Sequence, residues 1–402
     1  MIRRMMALLG ALLLLPACAA HAQFGIPGFE LVHNAPVETN LPNPDLRDPV
    51  TVWCEMFGAA KRAIDLEQYY VSGMTGEPLD TVIGCLDAAA KRGVKIRFLM
   101  EEKGLSASDT PTIDKLKAIP NLEFRLLAWA KVKGSGIIHA KFFIVDGKAS
   151  YVGSQNFDWR ALKHIDETGL RVTDAAMASQ FQAIFDHDWA AAALIAAGKP
   201  VPPLRTTGYA PIEGKVFLVA SPNAYDPAGI GDSQETLVKL IGQAKTEIRI
   251  EVMEYSTQSF GGGTYTVIDD ALRAAAARGV KVKLLVTDWN MWPNQIPLLE
   301  SLASVPNVEI KVASIPPAST GFVPYARVVH TKIMAIDGAI GWVGTSNWEG
   351  GYLDTSRNLE IVLRDAKMAG RIAALQTQLW DSPYSKPLAE AKLIPRPKTK
   401  PD

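Results

Sequence analysis

The sequence lacks most features that would place it by composition. Acidic and basic residues balance at 42 each, so no global field draws the chain to nucleic acid or anionic lipid. Any polyanion must be held by a local cationic site. No apolar run after Leu15 is long enough to cross a bilayer. Only three cysteines occur, and the six histidines form no cluster with metal-ligand spacing, so neither a metal nor another cofactor is expected. What is left, 402 residues with 48% hydrophobic and 21% charged, suits two domain-sized halves.

The first 22 residues read as a cleaved export signal. Met1 to Arg4 is basic, Ala7 to Leu15 is apolar, and Ala20-His21-Ala22 is a small-x-small cleavage site. Cleavage removes Arg3 and Arg4 and leaves 40 basic against 42 acidic residues, a net of −2. The expected location is secreted or periplasmic. Leu15-Pro16-Ala17-Cys18 is a weaker match to a lipoprotein anchor at Cys18, with Pro16 out of pattern. Export leaves Cys54 and Cys85 able to pair. Each also falls on the apolar side of an expected helix, where a reduced cysteine is an ordinary small hydrophobe, and the balance tips to that plainer state.

What the chain does have is one pattern twice. His139-x-Lys141-x4-Asp146-x6-Gly153-Ser154-x-Asn156 recurs as His330-x-Lys332-x4-Asp337-x6-Gly344-Thr345-x-Asn347, offset by 191 at every position. The repeat extends upstream: Ala88 to Ile96 matches Ala274 to Val282, and Ile119 to Phe124 matches Val305 to Ile310, both offset by 186. Alternating strand and helix signals, with Gly93 and Gly279 at helix C-caps, imply an α/β fold of two similar lobes with mixed sheets flanked by helices. The expected lobes are residues 47–198 and 215–385, with a linker at 199–214 and a disordered Lys- and Pro-rich tail at 386–402.

Side chains alternate faces along a strand, so His139 and Lys141 point one way and Ala140 and Phe142 the other; His330 and Lys332 repeat this. Each half thus offers an imidazole and an ammonium on one face. Asp146-Gly147 and Asp337-Gly338 sit between apolar runs as two-residue hairpin turns, which makes both aspartates structural. Asn156 and Asn347 supply amide donors for a phosphate, with Ser154 and Thr345 beside them in a secondary role. A catalytic imidazole needs a partner on its other nitrogen. Glu167 and Glu360 are assigned to this, aligned by admitting a two-residue insertion in the second half. The set predicts attack by one neutral histidine on phosphorus, protonation of the leaving oxygen by the other, and charge stabilisation by Lys141, Lys332 and the amides.

These residues resemble the phospholipase D superfamily, over roughly residues 47–385. The resemblance implies two lobes about a pseudo-twofold, one site at their interface and a metal-independent phosphohistidine mechanism. Gly153 to Leu162, Tyr325 to His330, Gly344 to Trp348 and Trp380 to Ser385 are similar to the branch that holds the animal lysosomal single-strand 5′-exonucleases. Val329 departs from that branch, which has Asn before the second histidine. Parity turns residue 329 away from the site, so a packing change is expected.

Three functions compete. Single-stranded nucleic acid as substrate is narrowly favoured by the branch resemblance; membrane phospholipid, by hydrolysis or transfer, is the alternative; a non-catalytic envelope binding protein is the weakest. Phe260, Tyr265, Trp289 and Trp292 fall in loops unique to the second half, where they stack bases, dip into lipid or anchor the loops. Arg160 and Arg327 contact a second phosphate or form structural ion pairs. His33, His164 and His187 read as surface or satisfied histidines. The sequence leaves open whether the chain forms a homodimer.

Overall fold

A computed structural model describes residues 23–205, 213–259 and 261–400. Residues 1–22, expected to be an export signal, residues 206–212 in the middle of the expected linker, Phe260 and residues 401–402 lie outside the described residues.

The first lobe is built on seven strands: β1 (Phe29–Asn34), β2 (Ala63–Gln68), β3 (Lys95–Glu101), β4 (Leu122–Leu127), β5 (Phe142–Val145), β6 (Ala149–Gly153) and β7 (Glu167–Val172). They lie in the order β1-β7-β6-β5-β2-β3-β4, with the short Gly25–Ile26 strand outside β1. The second lobe repeats the plan with β8 (Val216–Ser221), β9 (Glu247–Val252), β10 (Lys281–Thr287), β11 (Val308–Ala313), β12 (Lys332–Ile336), β13 (Ile340–Gly344) and β14 (Asn358–Leu363). Their order is β8-β14-β13-β12-β9-β10-β11, with Gly231–Asp232 and Ser385–Pro387 at the two edges. The strands joined through helices, β2-β3-β4 and β9-β10-β11, run parallel, as does the short Gly231–Asp232 strand beside β8, and the other numbered neighbours are antiparallel. This is what helix crossovers on one side and a hairpin on the other require.

Two expected boundaries move. β1 precedes residue 47, yet its six-residue ladder with β7 makes it the counterpart of β8. The tail expected to be disordered from residue 386 adds Ser385–Pro387 to the free edge of β11, then forms the short helix Leu388–Ala391, whose Leu388 and Ala391 are buried. Composition alone misread it, because an unpaired sheet edge gives a Pro-containing segment a place to dock.

Each sheet buries one face under its own helices. In the first lobe these are Pro49–Ala59 and Pro78–Lys91, around Trp53, Phe57, Val82, Leu86, Phe98 and Phe143. Asp48 caps the first of them by accepting from the Thr51 amide, and Pro49 opens it. The opposite faces of both sheets share one core, which takes in Phe142, Val152 and Leu170 from one lobe and Ile333, Val343 and Ile361 from the other. The closing helices Ala175–Ala196 and Ala366–Trp380 pack there, capped by Asp174 and Asp365 at equivalent positions. This shared core fixes the lobes against each other. Cys54 and Cys85 correct the reduced state expected for them: they form a disulfide between the first two helices, with Cα atoms 5.4 Å apart. Helix packing brings together two apolar-side positions whose spatial proximity the sequence did not reveal.

Candidate active site

The two signatures meet because the segments ahead of β5 and β12 cross into the opposite lobe. Ile138 bridges Arg357, and Val329 bridges Asp166, two contacts related by the same 191-residue offset. The His139 amide donates to Arg357 O at 2.9 Å and the His330 amide to Asp166 O at 2.9 Å. Both imidazoles thereby enter one cleft of about 750 Å³, which Asn156 and Asn347 also line.

After each histidine the chain enters its hairpin. Asp146 and Gly147 have φ of 56° and 67°, Asp337 and Gly338 52° and 62°, so both central residues of each turn are left-handed, as the tight hairpin demands. The Asp146 carboxylate accepts the amides of Lys61, Arg62 and Ala63, and Asp337 those of Lys245, Thr246 and Glu247. Each aspartate clamps its hairpin to the start of the neighbouring strand and is spent on structure.

The imidazole partners are where the geometry departs from expectation. His330 Nδ1 lies 3.0 Å from both Glu167 oxygens, so the carboxylate of the first lobe holds the histidine of the second. His139 Nδ1 instead faces Asn358 Oδ1 at 3.1 Å. Glu360 does not meet His139; it accepts from Ser233 and Ser346 below the site. The inserted two residues were the error. The β7–β6 register opposes Gly169 to Gly153, and the β14–β13 register opposes Glu360 to Gly344, so Glu360 is the counterpart of Gly169 and Asn358 that of Glu167. The unbroken offset of 191 would have found Asn358; the search for a second carboxylate overrode it.

Lys141 and Lys332 lie on the same side as their histidines, and each ammonium donates to the carbonyl of the histidine two residues before it, Lys332 at 2.6 Å. Both are fully or almost fully buried, at 2% and 0% exposed. Burial, reinforced by Lys332, holds Lys141 well below its ordinary range, and burial brings Lys332 to about 7 against the pull of Glu167 and Glu254. Burial and both lysines hold the two imidazoles well below the usual histidine range, and burial lifts Glu167 to about 8. A cluster of cationic groups disfavoured by desolvation and mutual repulsion is an anion receptor: a phosphodiester among them gives each charge a partner.

Ser154 and Thr345, expected beside the phosphate, are both 0% exposed and do not line the cleft. The Ser154 hydroxyl accepts from the Thr168 amide, and Thr345 donates to Asn358 Oδ1 at 2.8 Å, which aims that amide at His139. Asn347 donates to Glu254 at 3.0 Å. Tyr69 and Tyr352 flank His139 with ring centroids at 5.7 and 4.7 Å, and no pattern in the sequence marked them. Of the aromatic loop residues, Tyr265 is a buried anchor bonded to Gln234, Trp289 lines the cleft against Tyr325, and Trp292 is 47% exposed. Val329 is buried in a small apolar cluster with Leu41, Leu285 and Trp380, as parity requires. Arg160 lines the cleft while paired with Asp158, and Arg327 donates to Pro316 O and Val37 O away from it. His33 is buried against Asp166 and His187 pairs with Asp188. Among the described residues no group of three or more metal-ligating side chains could hold a metal ion.

Comparison with known proteins agrees with this geometry. The family described as cardiolipin synthase, phospholipase D-like domain, matches residues 53–189 and 237–380, one segment in each lobe. Phospholipase D Z of Dictyostelium discoideum is 30% identical over 365 residues, 84% of this chain and 85% of the relative. The 5′-3′ exonuclease PLD3 of Xenopus laevis is 29% identical over 377 residues, 83% of this chain and 75% of the relative. The phosphatidylserine synthase of Haemophilus influenzae superposes with a TM-score of 0.61 at 13% identity, covering 85% of this chain and 86% of that one, which bears on the fold alone. Matched across both lobes, the chain belongs to the phospholipase D superfamily, and its chemistry is that of a phosphoric diester hydrolase.

Proposed function

We propose that this hydrolase acts on single-stranded nucleic acid from a free 5′ end, in the compartment reached by its export signal. The observation that carries the substrate is the cleft wall. Tyr69 and Tyr352 set aromatic rings beside His139, and Trp289 and Tyr325 line the same cleft, where bases unstacked from a single strand find π-faces. Relatives named for 5′-3′ exonuclease activity support the same reading.

The unequal imidazole partners divide the labour. Asn358 can accept the Nδ1–H of a neutral His139 but offers no counter-charge to an imidazolium. Glu167, when ionised, offers one to His330, and the negative charge of a bound phosphodiester favours the imidazolium further. His139 Nε2 therefore attacks phosphorus, and the bond to the leaving oxygen breaks as that oxygen takes a proton from His330. His330, now neutral, removes a proton from water. The hydroxide attacks the phosphohistidine, the P–N bond breaks, and both histidines return to their starting states. Lys141, Lys332, Asn156 and Asn347 carry the charge that grows on the phosphoryl oxygens.

A second reading, phospholipid hydrolysis or transfer, is favoured by the Dictyostelium relative named phospholipase D. The test is turnover in EDTA of labelled single-stranded DNA beside phosphatidylcholine and phosphatidylglycerol vesicles. Nucleotides released stepwise from the 5′ end are expected. Turnover of vesicles without turnover of DNA overturns the proposal.

A further inference from the structure

The balanced charge of the chain requires that a polyanion be held by a local cationic site, and the two catalytic lysines are committed to the scissile phosphate. A further source lies in the C-terminal segment. Residues 392–400 carry Lys392, Arg396, Lys398 and Lys400 and no acidic residue. This stretch leaves the outer edge of the second sheet and returns to the mouth of the cleft, where Arg396, Thr399 and Lys400 form part of its wall.

The return path is anchored. The Arg396 guanidinium stacks on Trp292 at 3.6 Å from the ring centroid and donates to Trp289 O at 2.9 Å. The Tyr325 amide donates to Thr399 O at 3.0 Å. Pro395 and Pro397 flank Arg396 and stiffen the segment, which lowers the entropy lost on holding it there. Trp289 and Trp292 lie in the loop after β10, where the first lobe has Lys103 and Ser106, and with Tyr325 they hold residues 396–399. Arg160, the other arginine of the cleft wall, is tied down by Asp158.

We propose that residues 395–400 are a cationic strap that forms one wall of the cleft and binds, through Arg396 and Lys400, the phosphates flanking the scissile one in a single strand. The inference rests on the nucleic-acid reading above. It makes the strap a specificity element, since a substrate with one phosphodiester gains nothing from it.

The test compares the full chain with Arg396→Gln/Lys400→Gln and with Lys400→Gln alone, which leaves every anchor in place. kcat/KM is measured on a ten-nucleotide DNA strand and on bis-p-nitrophenyl phosphate across a salt series. Two lost phosphate contacts should make the salt slope for the strand shallower by about 1.4, and one by about 0.7. Between roughly 50 and 200 mM salt the double variant should then lose about sevenfold less kcat/KM than the parent. The ratio of strand to small-ester kcat/KM at low salt should fall in both variants. A parent that degrades the strand while Lys400→Gln keeps its slope and ratio overturns the strap alone. A parent that hydrolyses the small ester and leaves the strand intact overturns the substrate reading and the strap with it.

Discussion

The two lobes share strand order, hairpin, clamp aspartate and closing helix, yet they equip their halves of the cleft differently. At the imidazole, the first lobe contributes the carboxylate Glu167 and the second the amide Asn358. Beside the signature asparagines, the first lobe pairs Tyr70 with Asp158 and Arg160, while the second has Glu254 at the matching place, bonded to Asn347. In the helix layer the first lobe has the Cys54–Cys85 bond where the second has Val238 and Ala271, half-buried apolar residues. Duplication thus preserved whatever positions the backbone. It released whatever decides the charge state of each histidine, which the proposed mechanism requires, since it asks one imidazole to attack and the other to carry the proton.

The sharpest way to break this contrast is to delete each histidine. His139→Ala and His330→Ala should each cut DNA turnover by about 10³-fold or more, since attack and protonation are parts of one reaction. With a p-nitrophenyl ester, whose leaving group needs no acid, His330→Ala should still release a stoichiometric burst of nitrophenol, and His139→Ala should give none. A burst from the His139 variant alone reverses the assignment.

The helix layers differ by one covalent bond. It closes a loop with a sequence separation of 31 residues, and chain entropy puts its contribution at about 3–4 kcal/mol. Cys54→Ala/Cys85→Ala should lower stability to denaturant by up to that amount, with turnover of the folded fraction near normal. Equal stability with and without the bond would remove this difference between the lobes.

Glu167→Gln should lower turnover about 10²-fold, by loosening His330 and removing the counter-charge of its imidazolium. Asn358→Asp makes the lobes alike. It should shift the acidic limb of the kcat/KM profile to higher pH, because His139 then holds its proton more tightly and must lose it to attack. An unmoved limb would show that Asn358 does not set the state of His139. The smallest effect is expected where the lobes are most alike: Asp146→Asn and Asp337→Asn should each cost about 0.5–2 kcal/mol of stability and leave catalysis in the folded fraction intact. A large loss of turnover from either would put the hairpin aspartates in the site.

Much of this was legible in the chain. Period-two alternation placed His139 with Lys141 and buried Val329, and the Asp-Gly pairs set both hairpins, because such patterns are decided within a few residues. The lobe repeat was equally plain, since a constant offset runs through each block, 186 upstream and 191 through the signatures. The imidazole partners were not. Glu167 and His330 are 163 residues apart and His139 and Asn358 are 219 apart, so their pairing depends on how the segment before each hairpin crosses into the other lobe. The same holds for the disulfide, settled by helix packing, and for the C-terminal segment, settled by a free sheet edge, the Trp292 ring and the backbone of Trp289 and Tyr325. Sequence by itself determined which groups exist and which face each occupies, because backbone geometry is local. Only the tertiary structure decided which group meets which, because that depends on a register between distant strands that no local pattern encodes.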